Sequence, residues 1–260
     1  MSNQLKDLII YRVGDYLNEI NSFEEQHISN WIFRGHSNID FKLIPSLFRI
    51  DISDCYQSWE VVEEYMLESF RREAQPHLKI IPQDEIEWLT LAQHHGLPTR
   101  LLDWTSSPLI ALYIAVADFQ NNKDAIVWSY GSSSVNNCHP ESTPIARNIG
   151  CTTQGLLLPN HISPRVTNQL GCFTLHEAPK GKENFIPLNE QDLGFAIFQR
   201  FIIKAETKKD VYNQLYKLGI SEALIYPGLE GVAKKIKFEL LNTVKRNSNE
   251  KQVKALLKKK

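Results

Sequence analysis

A chain of 260 residues is long enough for one large domain or two small ones. With 42% hydrophobic, 10% aromatic and 23% charged residues it has an ordinary globular composition, which excludes disordered and fibrous classes. Its 29 Lys and Arg balance 30 Asp and Glu, so no global field draws it to nucleic acid or to an acidic membrane.

From Asp7 to Asn21 apolar residues at Leu8, Ile9, Val13, Tyr16, Leu17 and Ile20 follow a helical period and predict one amphipathic helix. In NWIFRGHSN the residues Trp31, Ile32 and Phe33 read as a short strand that opens into a turn at Arg34-Gly35. In DFKLIPSLFRI, Pro45 interrupts any regular element. A second helix is expected from Ser58 to Gln75, and a third carries Ile86, Leu89 and Gln93 on one face before Gly96 stops it in a left-handed cap. Ser106 or Ser107 then caps a helix with Pro108 at its first position, and LIALYIAVADF is apolar nearly all round, as a central buried helix is.

Beyond it DAIVWSY, from Asp124 to Tyr130, reads as a core strand, and Gly131 to Pro164 as a long surface loop. RVTNQLGCFTLHE and AIFQRFIIKA form a second β-rich portion, followed by the helix DVYNQLYKLG, a turn in IYPGLEG and a last helix from Val232. The basic run beyond Thr243 is expected to be a solvated tail. The apolar run Pro108 to Val116 is too short to span a bilayer, and no secretory leader is visible, so the expected location is the cytoplasm and no membrane partner is expected. Cys55, Cys138, Cys151 and Cys172 form no CxxC pair, which speaks against a disulfide scaffold or a zinc knuckle.

The residues that invite chemistry cluster in QHHGLPTRLLDWTSS. Arg34 carries a planar fork suited to a phosphate or carboxylate; its structural alternative is an ion pair with Asp103. His94 and His95 are adjacent, so on a helix they diverge and cannot readily share one metal; no metal site is assigned. Thr99, Arg100, Asp103, Thr105, Ser106 and Ser107 precede a helix whose N-terminal N–H groups favour an anion, and Arg100 and Asp103 enter an apolar neighbourhood in which charges must pair if buried. Glu230 in its Pro-Gly turn is a candidate carboxylate base. Cys172 lacks a neighbouring base and no GxSxG elbow exists, so a nucleophilic triad is not supported.

WIFRGHS, LIPSLFR, LAQHHGLPTRLLDWTSSPLIALYIAV, RVTNQLGCFTLHE and IYPGLEG together resemble the FRG-domain family of bacterial and phage proteins, named for the Phe-Arg-Gly motif that is here Phe33, Arg34 and Gly35. The resemblance runs from about Trp31 to about Ile236, within an expected domain of residues 1–243 followed by a basic tail, 244–260. The order of elements is also similar to Arg-Ser-Glu type ADP-ribosyltransferases. That similarity implies NAD as cofactor, Arg34 with Gly35 as the phosphate anchor, Thr105 and Ser106 as the supporting element and Glu230 as the carboxylate. The late ExE pair of that class is absent, and Gln169 stands in the corresponding strand.

The expectation is therefore an α+β domain, helices packed around a small mixed or antiparallel sheet. Its cleft would be formed by Arg34, His95, Arg100, Asp103, Thr105, Ser106, Gln169 and Glu230. It would bind a nucleotide-like small molecule and transfer ADP-ribose to a macromolecular acceptor, in phage defence or a toxin system. Two other readings stand beside it: a metal-dependent nuclease using His94 or His95 with Asp103, which the near-neutral charge does not indicate, and a non-catalytic recognition domain.

Overall fold

The computed structural model describes residues 7–23, 31–54, 58–132, 156–157, 167–193 and 196–241. Strands β1 (Asp7–Ile10), β2 (Trp31–His36), β3 (Leu101–Thr105), β4 (Ala125–Ser132), β5 (Leu156–Leu157), β6 (Gly171–Leu175) and β7 (Ala196–Ile203) form one seven-stranded sheet in the order β1-β7-β4-β2-β3-β6-β5. β1 runs parallel to β7 and every other neighbouring pair is antiparallel. Around it lie α1 (Val13–Asn21), α2 (Trp59–Ala74), α3 (Glu85–His94), α4 (Pro108–Val116), α5 (Lys208–Lys217), α6 (Glu222–Ile225) and α7, residues 229–241. The expected α+β domain, with helices around a mixed sheet, is what forms.

Alternation along the strands divides the core. Phe33, Val127, Phe201 and Ile203 face α1, α4, α5 and Phe238 of α7 in one cluster. Ile32, Trp128, Tyr130 and Ile202 face the other way and close over Leu43, Trp104 and Leu188. α4 is buried on nearly all sides, as its uniform apolarity requires, with Ser107 as N-cap accepting from the Ile110 N–H at 3.4 Å and Pro108 opening the helix. Lys208 is fully buried, and its ammonium donates to the carbonyls of Ser37, Asn121 and Lys123 at 3.1–3.2 Å, tying together the loop after β2 and the loop before β4. Among the described residues no helix is long and apolar enough to cross a membrane.

Several expectations need correction. The first four residues of the expected Asp7–Asn21 helix are an edge strand: Asp7 to Ile10 pair in parallel with Arg200 to Ile203, and only then does α1 begin. β2 continues through Arg34 and Gly35 instead of turning there, because β4 supplies a partner for every residue from Trp31 to His36. Leu101–Thr105 is a strand that periodicity does not announce; Leu101, Leu102, Trp104 and Thr105 are all buried, so the segment lacks the alternation of a half-exposed strand. The expected Ser58–Gln75 helix forms as α2, which leaves Val61 and Tyr65 exposed and buries Trp59, Val62, Glu63 and Leu67, so that the carboxylate-bearing Glu63 faces inward. Most of the expected 131–164 loop and the 244–260 tail lie outside the described residues.

Candidate active site

β2 and β3 share a single registered pair, Phe33 with Thr105, although both strands continue for several residues. The sheet parts at that point. A cleft of about 290 Å³ opens there, lined from β2 by Phe33, Arg34 and Gly35, from β3 by Asp103, Trp104 and Thr105, and from β6 by Gly171, Cys172 and Phe173. Thr90, Gln93 and His94 of α3 form one wall, and Ile114, Gln169 and Tyr226 the other.

Arg34 bridges the parted strands. Its Nη1 donates to the Asp103 carbonyl at 2.6 Å and lies 3.5 Å from the Asp103 carboxylate, so a side chain satisfies a backbone acceptor that a continuous ladder would have paired. Its Nε donates to His36 Nε2 at 2.8 Å, which leaves His36 Nδ1 to donate to the Phe41 carbonyl at 3.2 Å and fixes the neutral tautomer. Burial and the Arg34 charge push the His36 pKa down to about 3. Burial also lowers the Arg34 pKa, against the pull of Asp103, and the charge of Arg49 lowers it further. Nη2 of Arg34 makes no hydrogen bond among the described residues.

Gly35 sits against α4. A Cβ there would lie 2.0 Å from the Ala111 carbonyl oxygen and 2.7 Å from the Ala115 nitrogen, so glycine is required for β2 to seat directly on the helix backbone. On the opposite strand Asp103 is held on both oxygens, by Arg34 on Oδ2 and by Gln93, whose Nε2 donates to Oδ1; Gln93 Oε1 in turn accepts from the Thr99 hydroxyl. The Thr105 hydroxyl donates to the Gln169 carbonyl at 2.7 Å and accepts from the Ser107 N–H at 3.0 Å; the Gln169 side chain donates to the Ile225 carbonyl at 3.2 Å. That chain of bonds locks the end of α6, and Tyr226 just after it, to the rim of the cleft.

Thr90 is buried, lines the cleft, and its hydroxyl has no partner among the described residues. A helical threonine ordinarily returns its hydroxyl to a carbonyl one turn back; this one does not. Cys172 is buried at the cleft floor, and desolvation, with the charge of Asp103 adding to it, pushes its thiol up to about 12. It is protonated at neutral pH and offers no thiolate nucleophile.

The expected residues thus divide. Arg34, Gly35, Asp103, Thr105 and Gln169 line the cleft together. His95 does not: it is the exposed C-cap of α3, and its neighbour His94 lines the wall in its place, since adjacent helical positions point about 100° apart. Arg100 is buried away from the cleft, with Nε donating to Glu63 at 2.6 Å in an ion pair between β3 and α2. Ser106 is exposed on the turn before α4, and Glu230 is exposed on α7, paired with Lys234 at 2.6 Å. Thr90, Gln93, Phe173 and Tyr226 carry no sequence signal as site residues; the place of Gln93 on the core-facing side of its helix is the nearest sign. Among the described residues no group of three or more His, Cys, Asp or Glu is placed to hold a metal ion.

The FRG domain matches residues 29–124, which include β2, Arg34, Gly35, α3, β3 and α4. No curated protein and no solved structure matches the chain.

Proposed function

Proceeding from a chain that carries an FRG domain over residues 29–124, we propose that the cleft between β2 and β3 binds a nucleotide-like ligand, NAD, and transfers its ADP-ribose to a macromolecular target. The observation that carries this reading is the orphaned Thr90 hydroxyl, buried in the wall of a cleft that also presents Arg34. A buried polar atom without a partner costs about 1–3 kcal/mol, and a ligand hydroxyl or amide would complete it. Aromatic side chains at Phe33, Trp104, Phe173 and Tyr226 supply apolar walls for a base, beside a few convergent polar groups, as ligand clefts ordinarily do.

In the transfer, the glycosidic bond between the ribose C1′ and nicotinamide breaks, nicotinamide leaves with the bonding electrons, and an acceptor nucleophile forms the new bond to C1′ and loses its proton. Among the described residues lining the cleft Asp103 is the one carboxylate, so it takes the place of the carboxylate that the resemblance assigns to Glu230 and steadies the developing positive charge. Arg34 is the anion-binding group. The phage-defence or toxin setting goes with this reading and with the resemblance, not with any contact in the cleft.

A second reading, binding without transfer, is favoured by the engagement of Asp103 with both Arg34 and Gln93, which leaves its carboxylate committed. One experiment separates them: a thermal-shift titration with NAD, ADP-ribose, ATP and short RNA, with and without magnesium, run beside an assay for nicotinamide release. Thr90→Val is the informative variant. It removes an unpaired hydroxyl at nearly constant shape, so the unliganded protein should melt no lower than wild type while the NAD-induced shift shrinks. A shift without nicotinamide release selects the binding reading. No shift with NAD or ADP-ribose, or a shift that Thr90→Val leaves intact, overturns the assignment of this cleft.

A further inference from the structure

A second cavity, about 220 Å³, shares Arg34, Gln93 and Asp103 with the main cleft and is completed by Ser46, Arg49 and the apolar wall of Leu97, Leu101 and Leu102. Arg49 ends a short 3-10 turn, Leu47–Arg49, whose first two residues are buried. That turn is clamped to the segment before β3: the Leu47 N–H donates to the Thr99 carbonyl at 3.1 Å, and the Ser46 hydroxyl accepts from the Thr99 N–H at 3.1 Å. The backbone that presents Arg49 is therefore fixed, while its guanidinium has no ion pair or hydrogen bond among the described residues.

The charges around this cavity do not cancel. Asp103 is answered by Arg34, which leaves Arg49 as an unbalanced cation beside a leucine wall. Its field reaches far enough to lower the pKa of both Arg34 and His36. Two arginines line one small cavity, one of them with no protein acceptor among the described residues, and an anion between them would draw on both charges.

We propose that this second cavity is an oxyanion subsite for a phosphoryl group, with Arg49 as its principal donor and Arg34 as the group shared with the main cleft. The proposal deepens the reading above and rests on it only for the identity of the ligand: the phosphoryl group is that of the nucleotide whose remaining part lies in the main cleft. An Arg fork is suited to this because its parallel N–H groups match two phosphoryl oxygens.

Isothermal titration of the full chain with inorganic pyrophosphate and, separately, with ADP-ribose tests it, in wild type, Arg49→Ala and Arg49→Glu. Arg49 is exposed, so both variants should melt like wild type. Pyrophosphate should bind wild type, weaken about tenfold in Arg49→Ala through loss of a charged hydrogen bond, and fail to bind Arg49→Glu. Raising the salt concentration should weaken it further. Pyrophosphate that does not bind, or binds all three proteins alike, overturns the subsite. If ADP-ribose still binds in that case the main cleft reading survives without it; if pyrophosphate binds through Arg49 but ADP-ribose does no better, the subsite stands and the nucleotide reading falls.

Discussion

Replacing Gly35 by alanine tests how β2 is seated. The added Cβ would lie 2.0 Å from the Ala111 carbonyl oxygen and 2.7 Å from the Ala115 nitrogen, against the 3.0 Å that real Cβ atoms respect, so strand and helix have to part by about 1 Å. Neither atom belongs to a side chain that can swing away, and α4 cannot retreat easily, since Ala111, Leu112, Ala115 and Val116 are fully buried against the rest of the core. A radial gap of about 1 Å forfeits up to half of the dispersion attraction across an interface, and overpacking of this kind costs about 3 kcal/mol. For a chain of this size that is a fall in melting temperature of about 6–12 °C, read by circular dichroism or calorimetry. Gly14→Ala is the matched control: its Cβ meets nothing within 4 Å, and the position is in α1, so the melt should stay or rise slightly. A Gly35→Ala protein that melts within about 2 °C of wild type would refute the close seating of β2 on α4.

Arg100→Ala strands Glu63 in the interior and should cost about 3–5 kcal/mol in urea unfolding, whereas Arg100→Met combined with Glu63→Leu should recover much of it; a single variant as stable as wild type would show the pair is not buried. With Cys55, Cys138 and Cys151 changed to serine, Cys172 should resist iodoacetamide near pH 8 in the folded protein and react at once after unfolding, because its thiol is pushed up to about 12; alkylation of the native form at the rate of a free thiol would contradict this. His36 and His176 are both pushed down to about 3, chiefly by burial, from an ordinary 6.5, so their neutral forms are favoured by folding. Their stabilising contribution is complete above about pH 6.5 and is lost as the pH falls toward 3, with unfolding taking up as many as two protons, or about 2.7 kcal/mol per pH unit. Proton NMR should find both rings neutral at pH 5, and an ordinary midpoint near 6.5 for either would remove that contribution.

Helices were legible where local chemistry speaks for itself. Gly96 and Gly219 take left-handed φ angles of 89° and 88° just past α3 and α5, and Ser107-Pro108 opens α4 as its sequence requires. Strands were legible only when they alternate or stand out as β-branched and aromatic runs. β1 merges in sequence with the helix after it, because Leu8 and Ile9 fit a helical period as well as an edge strand; what selects the strand is β7, nearly two hundred residues away, which no local pattern contains. β3 buries residues on both faces, with Asp103 alone exposed, and so shows no alternation that a local pattern could pick out. Of the site residues, Arg34, Asp103 and Thr105 were visible as polar groups next to apolar ones. Thr90 and Tyr226 were not, since a threonine inside an apolar helix and a tyrosine before a Pro-Gly turn look the same whether they line a cleft or a core.

The Phe-Arg-Gly motif joins two jobs in consecutive residues, and this decides which substitutions can speak about function. Gly35 seats β2 on α4, while Arg34, pointing to the other side of the strand, ties the parted sheet through the Asp103 carbonyl and His36. Removing Arg34 leaves that carbonyl and His36 Nε2 without their donor, so Arg34→Ala loses stability and ligand binding together, and the loss of either does not identify its cause. Thr90 has no such double role: its hydroxyl holds nothing in the unliganded fold, so whatever Thr90→Val takes away belongs to the ligand. Arg49 is equivalent for the second cavity, being exposed and unpaired among the described residues. The residues that the fold does not use are the ones through which its chemistry can be read.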